Sequence, residues 1–250
     1  MKRKILLTVS YDGSGYFGWQ KQADKSYPTV QEAFEKALSK FFRKEIVCIG
    51  ASRTDRGVHA FGQRATIEVD TTVPTEKIPL ALHSFLPEDI VVVDAIDVEE
   101  EFHPRYDCVC KQYEYKIYNA KFRNPTYRKY SEFNHNQLDI IAMNNAAQVL
   151  VGKHDFKAFA ASGFSSKTSV RTIFAISVEK RGEFVIIKVT GNGFLYNMVR
   201  IISGTLIMVG EGKITKPQLE EILLSCDRTK AGKTAGPEGL TLVNIKYENY

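Results

Sequence analysis

The fold of this chain is decided by an amphipathic stretch, residues 29–42, which has the sequence TVQEAFEKALSKFF. Thr29 and Glu32 have the spacing of a capping box, in which a Thr hydroxyl accepts from the backbone three residues later. The apolar side chains recur at the intervals of one helical face, and they are Val30, Phe34, Ala37, Leu38 and Phe41. The sequence therefore predicts a helix that begins after Thr29.

Strand-like segments lie on both sides of this helix. The run from Ile5 to Val9 is a short buried-type strand. Further signals follow in order, namely a strand at residues 46–49, a Gly-containing loop at 50–62, a strand at 65–69, a helix beginning near Pro74 and a strand at 90–93. The first half of the chain thus predicts the order βαββαβ.

The second half repeats that order. Tyr113, Tyr115 and Ile117 alternate as in a strand. The later signals are a helix at 136–151, strands at 173–178 and 184–189, a helix at 198–208 and a strand at 242–245. We predict an α+β fold with two ferredoxin-like halves, residues 1–104 and 105–250, which form a mainly antiparallel sheet with helices on one side. A central cleft between the halves is then the expected place for chemistry.

Composition restricts the class of protein. The 250 residues are 44% hydrophobic and 25% charged, which is ordinary for a soluble globular protein and excludes disorder, collagen and coiled coil as global descriptions. The basic start Lys2-Arg3-Lys4 precedes an apolar run that ends by Asp12, too short for a secretion signal. The most apolar later stretch, residues 201–210, is shorter than the ~20 residues of a membrane span. We predict a cytoplasmic protein without membrane association.

Positive charge is concentrated in residues 103–130. This window holds seven basic and two acidic residues, an excess equal to the net charge of +5 of the whole chain. It also holds seven aromatic residues, and cations interleaved with aromatic rings suit RNA backbone contact and base stacking. A solvated strand edge with half-buried Tyr rings would have the same composition. The candidate RNA-binding residues are Arg105, Lys111, Lys116 and Arg123.

A polar loop between two predicted strands carries a carboxylate. Asp55 lies between Arg53 and Arg56, and nearby cations keep a carboxylate ionised. Such an Asp serves either as a nucleophile or as half of a salt bridge in a Gly-rich turn. The loop alone leaves both interpretations open.

Several motifs, taken together, resemble the tRNA pseudouridine synthases of the TruA type. Arg53-Thr54-Asp55-x-Gly57-Val58-His59-Ala60 resembles their active-site signature. The other similar segments, in chain order, are Tyr11-Asp12-Gly13-x-x-Tyr16-x-Gly18-Trp19-Gln20-x-Gln22, Thr29-Val30-Gln31, Lys111-Gln112-Tyr113-Glu114-Tyr115, Gly152-Lys153-His154-Asp155-Phe156-x-x-Phe159, Phe194-Leu195-x-x-Met198-Val199-Arg200 and Gly239-Leu240-x-Leu242. The chain departs from the family pattern at Arg56, where a small residue is more frequent, and at Asn197, where His is frequent.

The resemblance implies an isomerase that converts uridine to pseudouridine at positions 38, 39 and 40 of the tRNA anticodon stem-loop. It implies that Asp55 is the nucleophile, attacking either the ribose anomeric carbon or the uracil ring of a flipped-out uridine. Arg53 would hold the flipped nucleotide, Tyr113 would pack on the target base, and Arg200 would pair with the Asp55 carboxylate. It also implies a homodimer with tRNA as partner and no metal, cofactor or nucleotide.

Two other function classes compete with the isomerase. A non-catalytic tandem RRM-like RNA-binding protein also has ferredoxin-like units with strand aromatics, but Gly193-Phe194-Leu195-Tyr196 lacks the rest of an RNP1 run. A nucleotide-binding enzyme is suggested by Gly232-Lys233-Thr234. A P-loop needs Gly five residues earlier, where Asp227 lies. We therefore predict the isomerase.

Overall fold

The computed structural model describes residues 2–24, 26–163 and 167–250. The chain forms two compact units, which we call unit 1 (Met1–Val109 with Leu242–Tyr250) and unit 2 (Cys110–Thr241). The predicted halves differ from these units mainly at the C-terminus. Leu242–Tyr250, which holds most of the last strand and is predicted within 105–250, groups with unit 1.

Unit 1 has the predicted βαββαβ order. Its strands pair antiparallel, β1 between β4 and β3, with β2 also on β3. The elements are β1 (Lys2–Tyr11), α1 (Val30–Phe42), β2 (Cys48–Gly50), β3 (His59–Asp70), α2 (Ile78–Leu82) and β4 (Ile90–Val98), followed much later in the chain by β10 (Leu240–Tyr247), which lies beside β3. The α+β prediction is confirmed here.

Helix α1 forms where its cap and apolar face predict it. The Thr29 hydroxyl accepts a hydrogen bond from the Glu32 backbone N–H at 3.3 Å, which satisfies a donor that the first turn leaves without a helical partner. The apolar face is buried at Val30, Phe34, Ala37 and Leu38. Burial of these side chains fixes α1 on the sheet and therefore fixes the segment that precedes it.

Unit 2 is also α+β, and its principal strands are antiparallel. The order is β5-β9-β8-β7, with the short β6 parallel to β5. The elements are β5 (Cys108–Asn119), β6 (Glu132–Asn134), α3 (Ile140–Ala147), β7 (Gly152–Asp155), β8 (Val170–Arg181), β9 (Phe184–Gly191), α4 (Met198–Gly210) and α5 (Lys216–Ser225).

Four elements of unit 2 differ from the sequence prediction. Helix α3 begins after Asp139, whose carboxylate accepts from the Ala142 N–H at 2.9 Å, rather than at residue 136. Strands β6 and β7 were not predicted, because three or four residues are too short for an alternating pattern. Helix α5 was also not predicted, although Thr215 and Gln218 form a capping box at its start.

The C-terminal end of α4 is held by a half-buried carboxylate. Glu211 accepts hydrogen bonds from the side-chain amides of Asn134 and Asn136 at 3.0 and 2.8 Å and pairs with Lys213 at 2.6 Å. Burial raises the pKa of Glu211, but the bonds from Asn136, Lys213 and Asn134 outweigh it and lower the pKa to about 2. The ionised form is therefore the one that stabilises the folded state.

Glu211→Gln is expected to destabilise unit 2 at neutral pH and to do so less in acid. A carboxyl group with a lowered folded-state pKa contributes stability above its unfolded pKa of roughly 4.3, and this contribution is lost as pH falls towards 2. We expect a loss of roughly 2 kcal/mol at pH 7 that shrinks between about pH 4.5 and 2. Urea unfolding across pH measures it. The exposed Glu220→Gln serves as control, and a pH-independent loss for Glu211→Gln would contradict the prediction.

No helix in the described part of the chain combines the length and the hydropathy that a bilayer span requires. The longest of the elements named above, α1 and α4, have 13 residues each.

Candidate active site

The loop that carries Asp55 connects β2 to β3 in unit 1 and is fixed at its start by Gln63. The Ser52 N–H donates to Gln63 Oε1 at 3.1 Å, and Gln63 Nε2 donates to the Ser52 carbonyl at 2.7 Å. The Gln63 side chain is fully buried. The oxygen and the nitrogen of the Gln63 amide thus bond to the backbone N–H and carbonyl of Ser52, as a neighbouring strand would. These bonds fix the direction in which the loop leaves β2.

Thr54 fixes the loop directly beside Asp55. The Thr54 hydroxyl lies 2.7 Å from the Tyr11 hydroxyl, and the Thr54 carbonyl accepts from the Trp19 N–H at 3.1 Å. Both aromatic residues are buried. The backbone on the N-terminal side of Asp55 is thus held by side-chain and main-chain bonds to the segment after β1.

On the other side of Asp55 the loop makes a tight turn. The Asp55 carbonyl accepts from the Val58 N–H at 3.1 Å, and Gly57 has a positive φ of 78°. The Gly57 N–H donates to the Tyr16 carbonyl at 3.1 Å. Asp55 is half-buried and Arg53 is exposed, whereas Thr54 and Val58 are buried. The loop therefore presents the Arg53 and Asp55 side chains while its buried residues hold it to the unit.

Two glycines before α1 allow the chain to pack directly on this loop. A Cβ on Gly18 would lie 2.5 Å from the Thr54 carbonyl oxygen, and a Cβ on Gly13 would lie 2.0 Å from that of Val58. His59 adds a polar contact, because its Nδ1 is 3.2 Å from the Gly13 nitrogen and 3.2 Å from Asp12 Oδ1. The N-terminal segment and the Asp55 loop, which both resemble segments of the TruA-type synthases, thus pack directly against each other.

Arg56, where the chain departs from the family pattern, stacks on an aromatic ring. Its guanidinium carbon lies 4.0 Å from the centroid of the Phe17 ring, and Phe17 packs on Tyr27 at 4.4 Å between centroids. A guanidinium over an aromatic face is a favourable cation–π contact. Arg56 therefore helps to hold the exposed side of the loop to the preceding segment.

Tyr113 is on β5 of unit 2, paired with Val189 of β9. Its ring packs edge-on against Phe194 at 5.2 Å and is 6% exposed. Phe194 belongs to the segment that leads into α4. The hypothesis that Tyr113 packs on a base therefore concerns a ring whose orientation is already fixed by a second aromatic ring.

Arg200 is in the first turn of α4, and its side chain is oriented by two acceptors of unit 2. Its Nε donates to the Ala235 carbonyl at 2.7 Å, and one terminal nitrogen donates to Asn197 Oδ1 at 2.8 Å. Asn197 precedes the helix with a left-handed backbone, φ 61°. Asn197, the second departure from the family pattern, thus has an identifiable contact with a predicted site residue.

The two candidate RNA-binding residues on β5, Lys111 and Lys116, lie on opposite faces of the strand. Residues of a strand alternate between faces, so Lys111 lies on the face of Tyr113 and Lys116 on the opposite face. Lys116 lies over the Phe184 ring at 5.8 Å. Arg123 is exposed after β5 and lies over the Phe133 ring at 5.0 Å, and Arg105 is exposed in unit 1. Of the two candidates on β5, only Lys111 is placed beside the predicted base-packing residue.

The described residues include no group of three or more His, Cys, Asp or Glu side chains that could hold a metal ion.

Comparison with known proteins identifies the family. A model of the family described as tRNA pseudouridine synthase matches residues 7–107 and 146–248. The chain belongs to this family. A tRNA pseudouridine synthase A from Thermoanaerobacter sp. (strain X514) is 51% identical over 98% of this chain and 100% of its own length. Proteins of similar name from Clostridium tetani and Caldicellulosiruptor bescii are 47% and 45% identical, over 99% and 98% of this chain and the whole of their own.

Family membership confirms the resemblance and favours the isomerase over the RNA-binding module without activity. The matched ranges of the tRNA pseudouridine synthase model include Arg53, Asp55 and Arg200. Tyr113 lies outside them, in the gap between the two ranges. The roles of these four residues stay predictions.

Sequence reasoning did not find the residues that hold the site. Gln63 and Ala235 contact Ser52 and Arg200 through a side-chain amide and a backbone carbonyl. Ala235 offers no signal, because any residue has a carbonyl. Gln63 offers a weak one, since it is an amide beside the apolar strand 65–69, where a polar side chain that becomes buried needs partners.

Proposed function

We propose that this tRNA pseudouridine synthase converts uridine to pseudouridine at positions 38, 39 and 40 of the anticodon stem-loop, with Asp55 as nucleophile. The observation that carries the proposal is the rigid loop of unit 1. Its half-buried Asp55 follows the buried Thr54, which is hydrogen-bonded to Tyr11 and Trp19. A nucleophile must be held in reacting geometry before the substrate arrives, and a loop fixed on both sides of Asp55 meets that requirement.

The chemistry is an isomerisation in which all atoms of the nucleotide are retained. The bond between C1′ of the ribose and N1 of uracil breaks, the base turns, and a bond forms between C1′ and C5, whose proton is then lost while N1 gains one. Asp55 attacks either C1′ or the uracil ring and is released when the new bond has formed. The reaction has no net oxidation, so its balance needs no redox cofactor and no nucleotide.

The other site residues act on the flipped nucleotide or on Asp55. Flipping costs a few kcal/mol of stacking and pairing. Arg53, exposed beside Asp55, holds the extruded nucleotide, and the Tyr113 ring packs on the uracil. The Arg200 guanidinium pairs with the Asp55 carboxylate and keeps it ionised. The candidate RNA-binding residues contact phosphates, which fix position without reading sequence. They are Lys111, Lys116 and the exposed Arg105 and Arg123.

We also propose, from the family resemblance, that the enzyme is a cytoplasmic homodimer that binds tRNA across both subunits. Sedimentation with and without tRNA measures its mass, and a monomer in both conditions would contradict this part of the proposal.

The target positions are tested with four unmodified tRNA transcripts. Three of them have uridine at only one of positions 38, 39 and 40, and the fourth has no uridine at these positions but has one in the acceptor stem. Pseudouridine is expected in the first three transcripts and not in the fourth, with excess chelator and no nucleotide present. Formation is measured by chemical labelling of pseudouridine followed by primer extension. Product in the acceptor stem, or none at 38–40 while tRNA binding is intact, would contradict the assignment.

A further inference from the structure

The segment 232–236, which begins with Gly232-Lys233-Thr234, is packed on helix α4 of unit 2. A Cβ on Gly204 would lie 2.0 Å from the Lys233 carbonyl oxygen, and one on Gly232 would lie 2.7 Å from the Gly204 carbonyl carbon. The Gly232 N–H also donates to the Thr205 hydroxyl at 2.9 Å. The sequence analysis considered this stretch only as an incomplete P-loop, whereas in the fold its backbone lies against α4.

The same segment orients Arg200. Ala235 makes two reciprocal bonds with this residue, because its N–H donates to the Arg200 carbonyl at 3.2 Å and its carbonyl accepts from Arg200 Nε at 2.7 Å. Ala235 is fully buried. A shift of segment 232–236 would therefore move the acceptor that sets the direction of the guanidinium.

A buried carboxylate holds the segment on both sides of Ala235. Glu132 Oε1 accepts from Lys233 Nζ at 2.8 Å, and Glu132 Oε2 accepts from the Gly236 N–H at 3.3 Å. The Tyr115 hydroxyl lies 2.5 Å from Glu132 Oε2 and 2.8 Å from the Gly236 carbonyl oxygen. Tyr115 is fully buried and Glu132 is 8% exposed. A carboxylate at this depth is stable only when such partners satisfy it.

We propose that Glu132 is a positioning residue for the isomerisation, which acts on Arg200 through segment 232–236. This inference rests on the proposed function, in which Arg200 pairs with the nucleophile. Glu132 bonds to Lys233 and Gly236, on both sides of Ala235, and so fixes the position of the Ala235 carbonyl. That carbonyl accepts from Arg200 Nε and orients the guanidinium. Loss of the Glu132 charge releases Lys233 and allows the guanidinium to turn away from the orientation that the Ala235 carbonyl gives it.

A double-mutant cycle tests this path. Glu132→Gln keeps the volume of the side chain but removes its charge, and a misplacement of about 1 Å can cost roughly 100-fold in rate. We expect Glu132→Gln to slow single-turnover pseudouridine formation by about 10- to 100-fold at an unchanged tRNA Kd. Lys at position 200 lacks the Nε donor to Ala235, so in an Arg200→Lys background the same change is expected to slow the reaction less than about twofold. Equal factors in both backgrounds would overturn the inference.

A matched variant separates positioning from loss of stability. Glu211→Gln removes a different carboxylate of unit 2, at the end of α4 opposite Arg200. Its rate is expected to equal that of the wild type at a temperature where both are folded. If Glu132→Gln lowers the stability but leaves the rate unchanged, as in Glu211→Gln, the inference is wrong.

The pH profile and a second variant complete the experiment. With Arg200 displaced, the Asp55 carboxylate is less stabilised, so the acid limb of the rate profile should move to higher pH in Glu132→Gln. If that variant does not fold, Tyr115→Phe, which keeps the ring and loses the hydroxyl, is expected to slow the reaction in the same background-dependent way. An unchanged rate in Tyr115→Phe would then overturn the inference. The proposed function is contradicted by different results, namely no pseudouridine formation by the wild type or an active Asp55→Asn variant.

Discussion

Asp55→Asn is expected to reduce pseudouridine formation at least about 1,000-fold, because an amide oxygen is too weak a nucleophile to replace the carboxylate. The measurement is single-turnover conversion of an anticodon stem-loop transcript. Asn has the same size as Asp, and the bonds that fix the loop are made by Ser52, Thr54 and the backbone of Asp55 and Gly57. The loop should therefore keep its conformation.

The affinity for tRNA separates the chemical role from a binding role. Backbone contacts dominate the affinity of proteins for nucleic acids, so the Kd of Asp55→Asn should stay within about threefold of the wild-type value at the same salt concentration. Asp24→Asn, at an exposed position of the same unit, is the matched control and should be fully active. Activity in Asp55→Asn would show that Asp55 is not the nucleophile, and a large loss of tRNA binding would show that its main role is to hold the RNA.

The parts of this fold that the sequence predicts are those with local causes. Thr29 caps α1 through a bond to a residue three positions away, and the apolar face of that helix is a repeat within 13 residues. Strand β6 escapes prediction because it has three residues and exists only through its pairing with β5. The return of Leu242–Tyr250 to unit 1 has the same kind of cause, since it depends on pairing with a strand about 180 residues earlier.

The candidate site divides in the same way. Asp55 and Arg53 could be found because a loop signature is contiguous in the sequence. Ala235 could not, because its contribution is a carbonyl directed at Arg200. The opposite facing of Lys111 and Lys116 also follows from the sequence, because the predicted alternation of Tyr113, Tyr115 and Ile117 already separates the two lysines. Chemistry carried by residue type is thus readable from sequence, and chemistry carried by backbone position requires the fold.

Gly13→Ala is expected to slow pseudouridine formation by about 100-fold, because it displaces the loop without altering any side chain of the site. The new Cβ would lie 2.0 Å from the Val58 carbonyl oxygen, and no rotation of a methyl group relieves a contact with backbone. Val58 must move, and its N–H is the donor to the Asp55 carbonyl at 3.1 Å. The nucleophile is therefore displaced through the tight turn. Overpacking of this kind costs about 1–3 kcal/mol of stability.

Gly15→Ala is the matched control, two residues away in the same one-turn 3₁₀ helix, Gly13–Gly15. A Cβ at Gly15 meets no atom of the described residues 2–24, 26–163 and 167–250 within 4 Å, so this variant should react at the wild-type rate. Both variants are compared by single-turnover rate, by tRNA Kd and by urea unfolding, at a temperature where each is folded. A rate loss with an unchanged Kd in Gly13→Ala alone would mean that the contact between the N-terminal segment and the loop sets the position of Asp55. Equal rates for the two variants would mean that the loop absorbs the displacement before it reaches Asp55, and the rigid-loop argument for the nucleophile would then be wrong.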